Sequence, residues 1–335
     1  MSHAITAPPS ATSRLVPIQE PVKARLDGVM DEIQRIVLSD FDMIEEVNDV
    51  LLRMRGKFFR PTLLLLVNEV GGRPHDDAVS LAAVVELVHL ATLVHDDAVD
   101  HSVLRRGMPT VNHLWSHQVA VITGDYLYSR SVMELARLGR LEAIRSLARA
   151  SNEMSVGELR QLTSYDALDF DEDDYTRLIS CKTASLMAAA CEMGAVVGVE
   201  RWREAFRRYG QALGMAFQVA DDLLDYEGSE AVTGKPVGHD LRERKVTLPL
   251  VETLRVVDDA GRDRIRSFFT LLDPSDDEIE EIVAIVRESG GLEYARGRAR
   301  FYADQAEAAL DEVGAEGEAM DALRAAIAYA IERSR

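Results

Sequence analysis

The sequence predicts an all-α protein, an antiparallel multi-helix bundle of roughly ten or more helices, on three observations. Apolar residues recur at three- and four-residue spacing, as in Leu26, Met30, Ile33 and Ile36 and again in Leu81, Val84, Val85 and Val88. That is the period of a helix that buries one face. Strand-like alternation between turn signals is scarce, with no Asn-Gly hairpin and no βαβ punctuation. The breaks are short: Gly71-Gly72-Arg73-Pro74, Arg105 to Pro109, Tyr165 to Asp174 and Gly290-Gly291.

Residues 1–17 are rich in Ala, Ser, Thr and Pro and lack the apolar core of a signal peptide, so they read as a disordered tail. From 18 to 335 the apolar pattern continues without a clear linker, and one large domain is expected. The longest apolar runs, Leu81 to Val94 and Ser185 to Val199, are interrupted by Glu86 and His89 or by Glu192, and they fall short of a bilayer span. No transmembrane segment is therefore expected, and the chain reads as soluble. Asp and Glu number 57 against 38 Lys and Arg, a net charge of −19. That balance disfavours nucleic acid and anionic membrane, which need basic stripes. Metal ions can still bridge an acidic protein to a diphosphate. Cys181 and Cys191 stand ten residues apart on different faces of one expected helix, which argues against a disulfide and fits a reducing cytoplasm.

One connection stands apart. Tyr226 to Lys245 holds Gly228, Gly234, Pro236 and Gly238 with little helical pattern, and long loops in compact domains are usually functional or disordered. Lys235 and Lys245 would suit a lid over an anionic substrate, or the segment is an ordinary surface connection.

The chemistry is carried by a pattern that occurs twice. Asp96-Asp97-Ala98-Val99-Asp100 and Asp221-Asp222-Leu223-Leu224-Asp225 each end an apolar helical run. The first and last Asp of each cluster share a helix face about 6 Å apart along the axis. Stacked carboxylates repel, and hard divalent cations offset this; Mg²⁺ takes one or two carboxylates with waters and substrate phosphates. A single such cluster in an acidic protein is more often a solvated helix end, but two copies favour a metal site. Asp96, Asp97, Asp100, Asp221, Asp222 and Asp225 are the candidate ligands. Basic groups accompany them: Arg105 and Arg106 in a Gly-containing turn, Lys57 and Arg60 in Gly56-Lys57-Phe58-Phe59-Arg60-Pro61, and His89 seven residues before Asp96 on the same face. Guanidinium grips diphosphate oxygens in bidentate fashion and lysine supplies a point charge.

These residues resemble the trans-isoprenyl diphosphate synthase family, the polyprenyl synthetases, from about Val22 to the end. Gly-Lys-x-x-Arg-Pro at 56–61, Glu86-Leu87-Val88-His89, Arg105-Arg106-Gly107, Gly124-Asp125-Tyr126-Leu127, Lys182-Thr183-Ala184, Phe217-Gln218, Gly234-Lys235-Pro236, Asp240-Leu241 and Lys245 carry the likeness, with both acidic motifs. The resemblance implies an isoprenoid synthase bundle with a central active-site cavity and a homodimer. It also implies three Mg²⁺ ions on Asp96, Asp100 and Asp221, helped by neighbouring carboxylates. Arg105, Lys182 and Lys235 would contact an allylic diphosphate, while Lys57, Arg60, His89 and Arg106 would hold isopentenyl diphosphate. Lys182, Thr183 and Gln218 would aim dipoles at the carbocation that forms as diphosphate leaves.

Two positions depart from the family: Arg55 where many members have Gly, and Phe58 where a basic residue is common. A terpene cyclase would carry an Asn/Ser/Glu-type second motif, and a non-catalytic subunit has no need of both Asp triplets. Ala91 and Thr92, five and four residues before Asp96, are small where short-chain members carry a bulky aromatic. With Val88 and Leu87 continuing an aliphatic wall, the resemblance implies a hexaprenyl to decaprenyl product. Farnesyl or geranylgeranyl diphosphate is the alternative, because the small residues also permit close helix packing and a neighbouring helix around Tyr126 to Met133 can set the floor. The product itself is apolar enough to partition into membrane.

Overall fold

The computed structural model describes residues 11–54, 56–163, 167–227 and 237–332. Helices α1 (Ala11–Gln19), α2 (Lys23–Val37), α3 (Asp42–Arg53), α4 (Phe59–Glu69), α5 (Asp77–Val99), α6 (Val111–Leu114), α7 (His117–Leu138) and α8 (Leu141–Thr163) build the first half. The second half holds α9 (Glu172–Ile179), α10 (Ser185–Gly198), α11 (Arg203–Glu227), α12 (His239–Arg242), α13 (Leu248–Val256), α14 (Asp259–Thr270), α15 (Asp276–Glu288), α16 (Gly291–Val313) and α17 (Glu318–Ile331). The strands among the described residues are β1 (Leu104–Arg105) and β2 (Met108–Pro109), an antiparallel pair. Local chemistry starts several helices: the Ser116 hydroxyl caps α7, Asp171 caps α9, and Ser275 with Glu278 forms a capping box on α15.

Helix α5 is apolar on every side, and such a helix must be enclosed. It packs against α2, α4, α7 and α10, and Leu81 to Val88 are buried throughout. At 23 residues it is also, among the described residues, the helix long and apolar enough to cross a membrane, against the expectation that no run reaches that length. Its place at the centre of the bundle accounts for its composition.

Two apolar clusters fill the interior. One gathers α1 to α8, α10 and α17; the other gathers α9 and α12 to α15 around Tyr226, Leu241 and Phe268. Helices α11 and α16 run through both, contributing Phe206, Tyr209, Ala306 and Leu310 to the first and Val219, Leu223, Leu292 and Ala295 to the second. Close approach of α11 to the segment before α10 depends on Gly214, where an added Cβ would stand 2.5 Å from the Ala184 Cα.

The disordered tail expected over residues 1–17 ends sooner. Residues 11–17 belong to α1, which packs on α17 and buries Leu15 and Ile18; residues 1–10 lie outside the described residues. Leu15, Ile18 and Val22 form one apolar stripe at three- and four-residue spacing, a signal outweighed in the sequence by neighbouring Pro, Ser and Thr.

Candidate active site

The first acidic motif closes α5. Asp96 is partly buried, Asp100 is exposed at the helix end, and its backbone N–H donates to the Asp96 carbonyl at 2.8 Å. Burial pushes the Asp96 carboxyl up to about 6, with Lys182 pulling against the shift and Glu158 and Asp100 adding to it. Asp97 turns inward instead. Arg105 Nε donates to both its oxygens, at 2.9 and 2.8 Å, so this carboxylate holds a guanidinium rather than facing the opening.

Arg105 sits on β1, in a turn that the sequence marks only by Arg-Gly. Leu104 pairs with Pro109 and Arg105 with Met108, leaving Arg106 and Gly107 as a two-residue loop with φ of 52° and 77°. Positive φ at both positions is the geometry of a type I′ hairpin turn. At Arg106 it costs about 1–3 kcal/mol, strain of the kind that gathers at functional sites. Arg106 Nη1 donates to the Met54 carbonyl at 3.1 Å, which ties the hairpin to the loop before α4.

The upstream bases form a nest around one acid. Glu86, on α5, is buried, and burial raises its carboxyl to about 7 against the pull of Arg60 and Arg106. Burial, then Arg60, Arg106 and Arg105, hold His89 well below its usual range. His89 is therefore a neutral hydrogen-bond donor rather than a third cation. Arg60 Nε is buried with no hydrogen-bond partner, a cost of about 1–3 kcal/mol that a ligand oxygen would remove. This orphaned donor, the Arg106 guanidinium and a neutral imidazole fit an oxyanion such as a diphosphate.

The second motif, on α11, divides its labour differently. Asp221 is exposed. Asp222 is buried and accepts from the Tyr175 hydroxyl at 2.6 Å and from Gln218 Nε2 at 2.8 Å. Burial first, and Asp240 next, push its carboxyl well above the usual range. Asp225 accepts backbone N–H groups of His239 and Asp240, at 3.0 and 3.1 Å, and so pins the start of α12. Thr183 Oγ1 donates to Gln218 Oε1 at 2.7 Å, so the Asp222 contact fixes which end of the Gln218 amide is oxygen. Lys182 and Thr183 lie in a π-helical turn, Ser180–Ala184, inserted between α9 and α10. Such bulges are frequent at functional sites, and no residue pattern announces this one.

The two motifs meet electrostatically. Lys245, paired with Glu243 at 2.6 Å, is held above its usual value by Glu243, Asp240 and Asp100 despite burial. Burial raises Asp240, with Glu243 and Asp221 adding to the effect. The charge of Asp100 is thus felt at Lys245 and that of Asp221 at Asp240. Among the described residues no three His, Cys, Asp or Glu converge closely enough to hold a metal alone. Asp96, partly buried, and the exposed Asp100 and Asp221 are carboxylates of the kind a hard cation takes while it keeps waters and substrate phosphates in its shell. Asp97, Asp222 and Asp225, expected among the ligands, are each engaged by protein groups. Lys235 lies outside the described residues, as does Arg55.

Below the first motif a cavity of about 510 Å³ opens between α5, α7 and α8. Asp96, Lys182 and Glu158 stand on its wall with Thr92, Ala91 and Val88, and Tyr128 contributes from α7. Glu158, which sequence reasoning missed, binds Lys182 Nζ at 2.5 Å, and Gln161 Oε1 accepts from the same ammonium at 2.8 Å. Tyr175 was also missed as a support, and Asp240 was named only as part of the resemblance. A lone acid on a helix, or a Tyr 47 residues from the Asp it bonds, carries no local signal.

The chain is 36% identical over 287 residues to an all-trans-nonaprenyl-diphosphate synthase (geranyl-diphosphate specific) of Rhodobacter capsulatus, covering 85% of this chain and 88% of that one. It is 34% identical over 312 residues to a short chain isoprenyl diphosphate synthase of Methanothermobacter thermautotrophicus, covering 90% and 95%. The crystal structure of a polyprenyl synthase from Caulobacter crescentus, complexed with calcium and isoprenyl diphosphate, superposes with a TM-score of 0.88 at 34% identity, covering 98% and 99%. Residues 41–286 match the polyprenyl synthetase family, and the chain belongs to it.

Proposed function

We propose that the protein condenses isopentenyl diphosphate with an allylic diphosphate and repeats the step to an all-trans polyprenyl diphosphate of medium or long chain, hexaprenyl to decaprenyl. The cavity beneath Asp96 carries this reading. Its α5 wall at Thr92, Ala91 and Val88 is narrow in side chain and leads away from the charged mouth, so a growing apolar chain has somewhere to go.

The residues divide the work. Asp96, Asp100 and Asp221 would hold Mg²⁺, three ions in this proposal, whose charge neutralises the departing diphosphate when bound. Arg105, Lys182, Lys235 and Lys245 would complete the grip on the allylic diphosphate, and Glu158 and Gln161 keep Lys182 at the mouth until substrate arrives. Arg60, Arg106, Lys57 and the neutral His89 would bind the second diphosphate in the nest around Glu86. Asp222 and Tyr175 orient Gln218, which with Thr183 presents fixed oxygen dipoles where positive charge develops; preorganised dipoles need no rearrangement at the moment of reaction. Released diphosphate would be the base for the final proton, since no His or Glu of the motifs is an evident one.

A homodimer in the cytoplasm completes the proposal. Exposed Ile122 and Met133 on α7 and Leu159 and Leu162 on α8 supply an apolar face for a second copy, and Cys181 and Cys191 are unpaired. Incubation with Mg²⁺, isopentenyl diphosphate and farnesyl diphosphate, followed by chromatography of the product, tests the function. Products of six or more isoprene units, lost on chelation with EDTA, support it; nothing beyond geranylgeranyl diphosphate would refute the chain-length assignment.

A further inference from the structure

The loop that carries Lys57 is held in an unfavourable backbone conformation by a residue of the N-terminal helix. Phe58, between Lys57 and the first residue of α4, has φ 50° and ψ 37°, a left-handed conformation that bulky residues rarely adopt. No side chain caps α4 there. The Phe58 carbonyl accepts instead from the Thr62 N–H at 2.9 Å and from the Thr62 hydroxyl at 2.7 Å. Gln19, the last residue of α1, reaches across to both ends of this turn. Its Nε2 donates to the Lys57 carbonyl at 2.9 Å and to Thr62 Oγ1 at 3.1 Å, one bond for each amide proton. Helix α1 is itself fixed, by buried Leu15 and Ile18 and by Arg14 Nη1 on the Glu332 carbonyl at 3.0 Å.

A strained conformation persists only where its surroundings over-determine it, and Gln19 adds hydrogen bonds from outside the turn to the packing of the Phe58 ring on the core. We propose that Gln19 is a positioning residue: through the Lys57 carbonyl and Thr62 it sets the Lys57 loop for the diphosphate of isopentenyl diphosphate, making the N-terminal helix part of that subsite. This rests on the reading of Lys57 given above. Gln19 does not touch substrate; it acts on where the Lys57 ammonium stands.

The test is a double-mutant cycle on the full-length enzyme with Gln19→Met, which keeps side-chain length and removes both donors, and Lys57→Ala. Gln19→Met should raise KM for isopentenyl diphosphate by about fivefold, the scale of one lost hydrogen bond. KM for the allylic primer and the thermal midpoint should stay at wild-type values. In the Lys57→Ala background the same substitution should add less than about twofold, because its route to substrate is gone. If Gln19→Met lowers the thermal midpoint, Gln19→Leu, also neutral and without a donor, takes its place in the cycle. Additive effects, equal rises in both KM values, or an unchanged KM for isopentenyl diphosphate while Lys57→Ala raises it, would each overturn the inference alone. Should Lys57→Ala leave that KM unchanged, the assignment of Lys57 fails and the role of Gln19 falls with it.

Discussion

The two acidic motifs have the same spacing and each lies in the last turns of a long helix, yet they neutralise their middle carboxylates by opposite means. On α5, Asp97 is met by the guanidinium of Arg105, a charge for a charge. On α11, Asp222 is met by two neutral donors, Tyr175 and Gln218, and burial favours its protonated form. The third positions differ too, since Asp100 is exposed at the helix end while Asp225 is occupied by the backbone of α12. Spacing alone therefore does not assign a role. Asp96 stands on the cavity wall and Asp221 is exposed, whereas the second Asp of each motif is buried against protein groups.

The strongest way to break the comparison is to remove both leading residues in turn. Asp96→Ala and Asp221→Ala should each reduce turnover on the order of a thousandfold or more, through loss of several kcal/mol of charge neutralisation, with the helical circular dichroism unchanged. Retention of more than about a tenth of turnover in either would make that motif dispensable. Next in size is Arg60→Ala, which leaves both motifs intact. It should raise KM for isopentenyl diphosphate about ten- to a hundredfold, the value of a charge-assisted bond, and KM for the primer far less. Equal changes would mean that the nest around Glu86 is not a separate subsite.

Smaller still is Asp97→Asn, which leaves Arg105 without its counter-charge. It should cost about 2–3 kcal/mol in denaturant unfolding, less than a fully buried pair because Arg105 keeps 32% side-chain exposure. An unchanged midpoint would erase the distinction between the two middle carboxylates. The mildest substitution in rate is Ala91→Tyr, placed on the cavity wall one helical turn below Asp96. It should shift the product toward farnesyl or geranylgeranyl diphosphate without abolishing the first condensation, as read by chromatography. An unaltered product distribution would put the chain elsewhere than this cavity.

Much of this was legible in the residues. The apolar run of Leu81 to Val88 carries no polar face, so its burial at the bundle centre follows from composition. The motifs, with Arg105, Arg106, Lys57 and Arg60, stand out by residue type and spacing alone. What escaped notice depends on distance or on the backbone. Tyr175 meets Asp222 across 47 residues, the Ser180–Ala184 π turn has no residue signature, and the Arg106-Gly107 turn lacks the Asn-Gly that marks most such hairpins. Helix α1 was hidden by Pro17 and its polar neighbours, although Leu15 and Ile18 already held its stripe. His89 was counted among the bases because a sequence does not show burial, and burial is what keeps its imidazole neutral.

The claim that the leading and middle Asp do different work is tested most directly on α11, by comparing Asp221→Asn with Asp222→Asn under saturating Mg²⁺ and both substrates. Asparagine preserves shape at each site and removes the charge. At position 222 it can still accept from Gln218, and the Tyr175 hydroxyl can reverse to accept from its amide. The account predicts that Asp222→Asn keeps turnover within about tenfold of wild type, whereas Asp221→Asn falls on the order of a thousandfold or more. Equal losses in the two variants would contradict it.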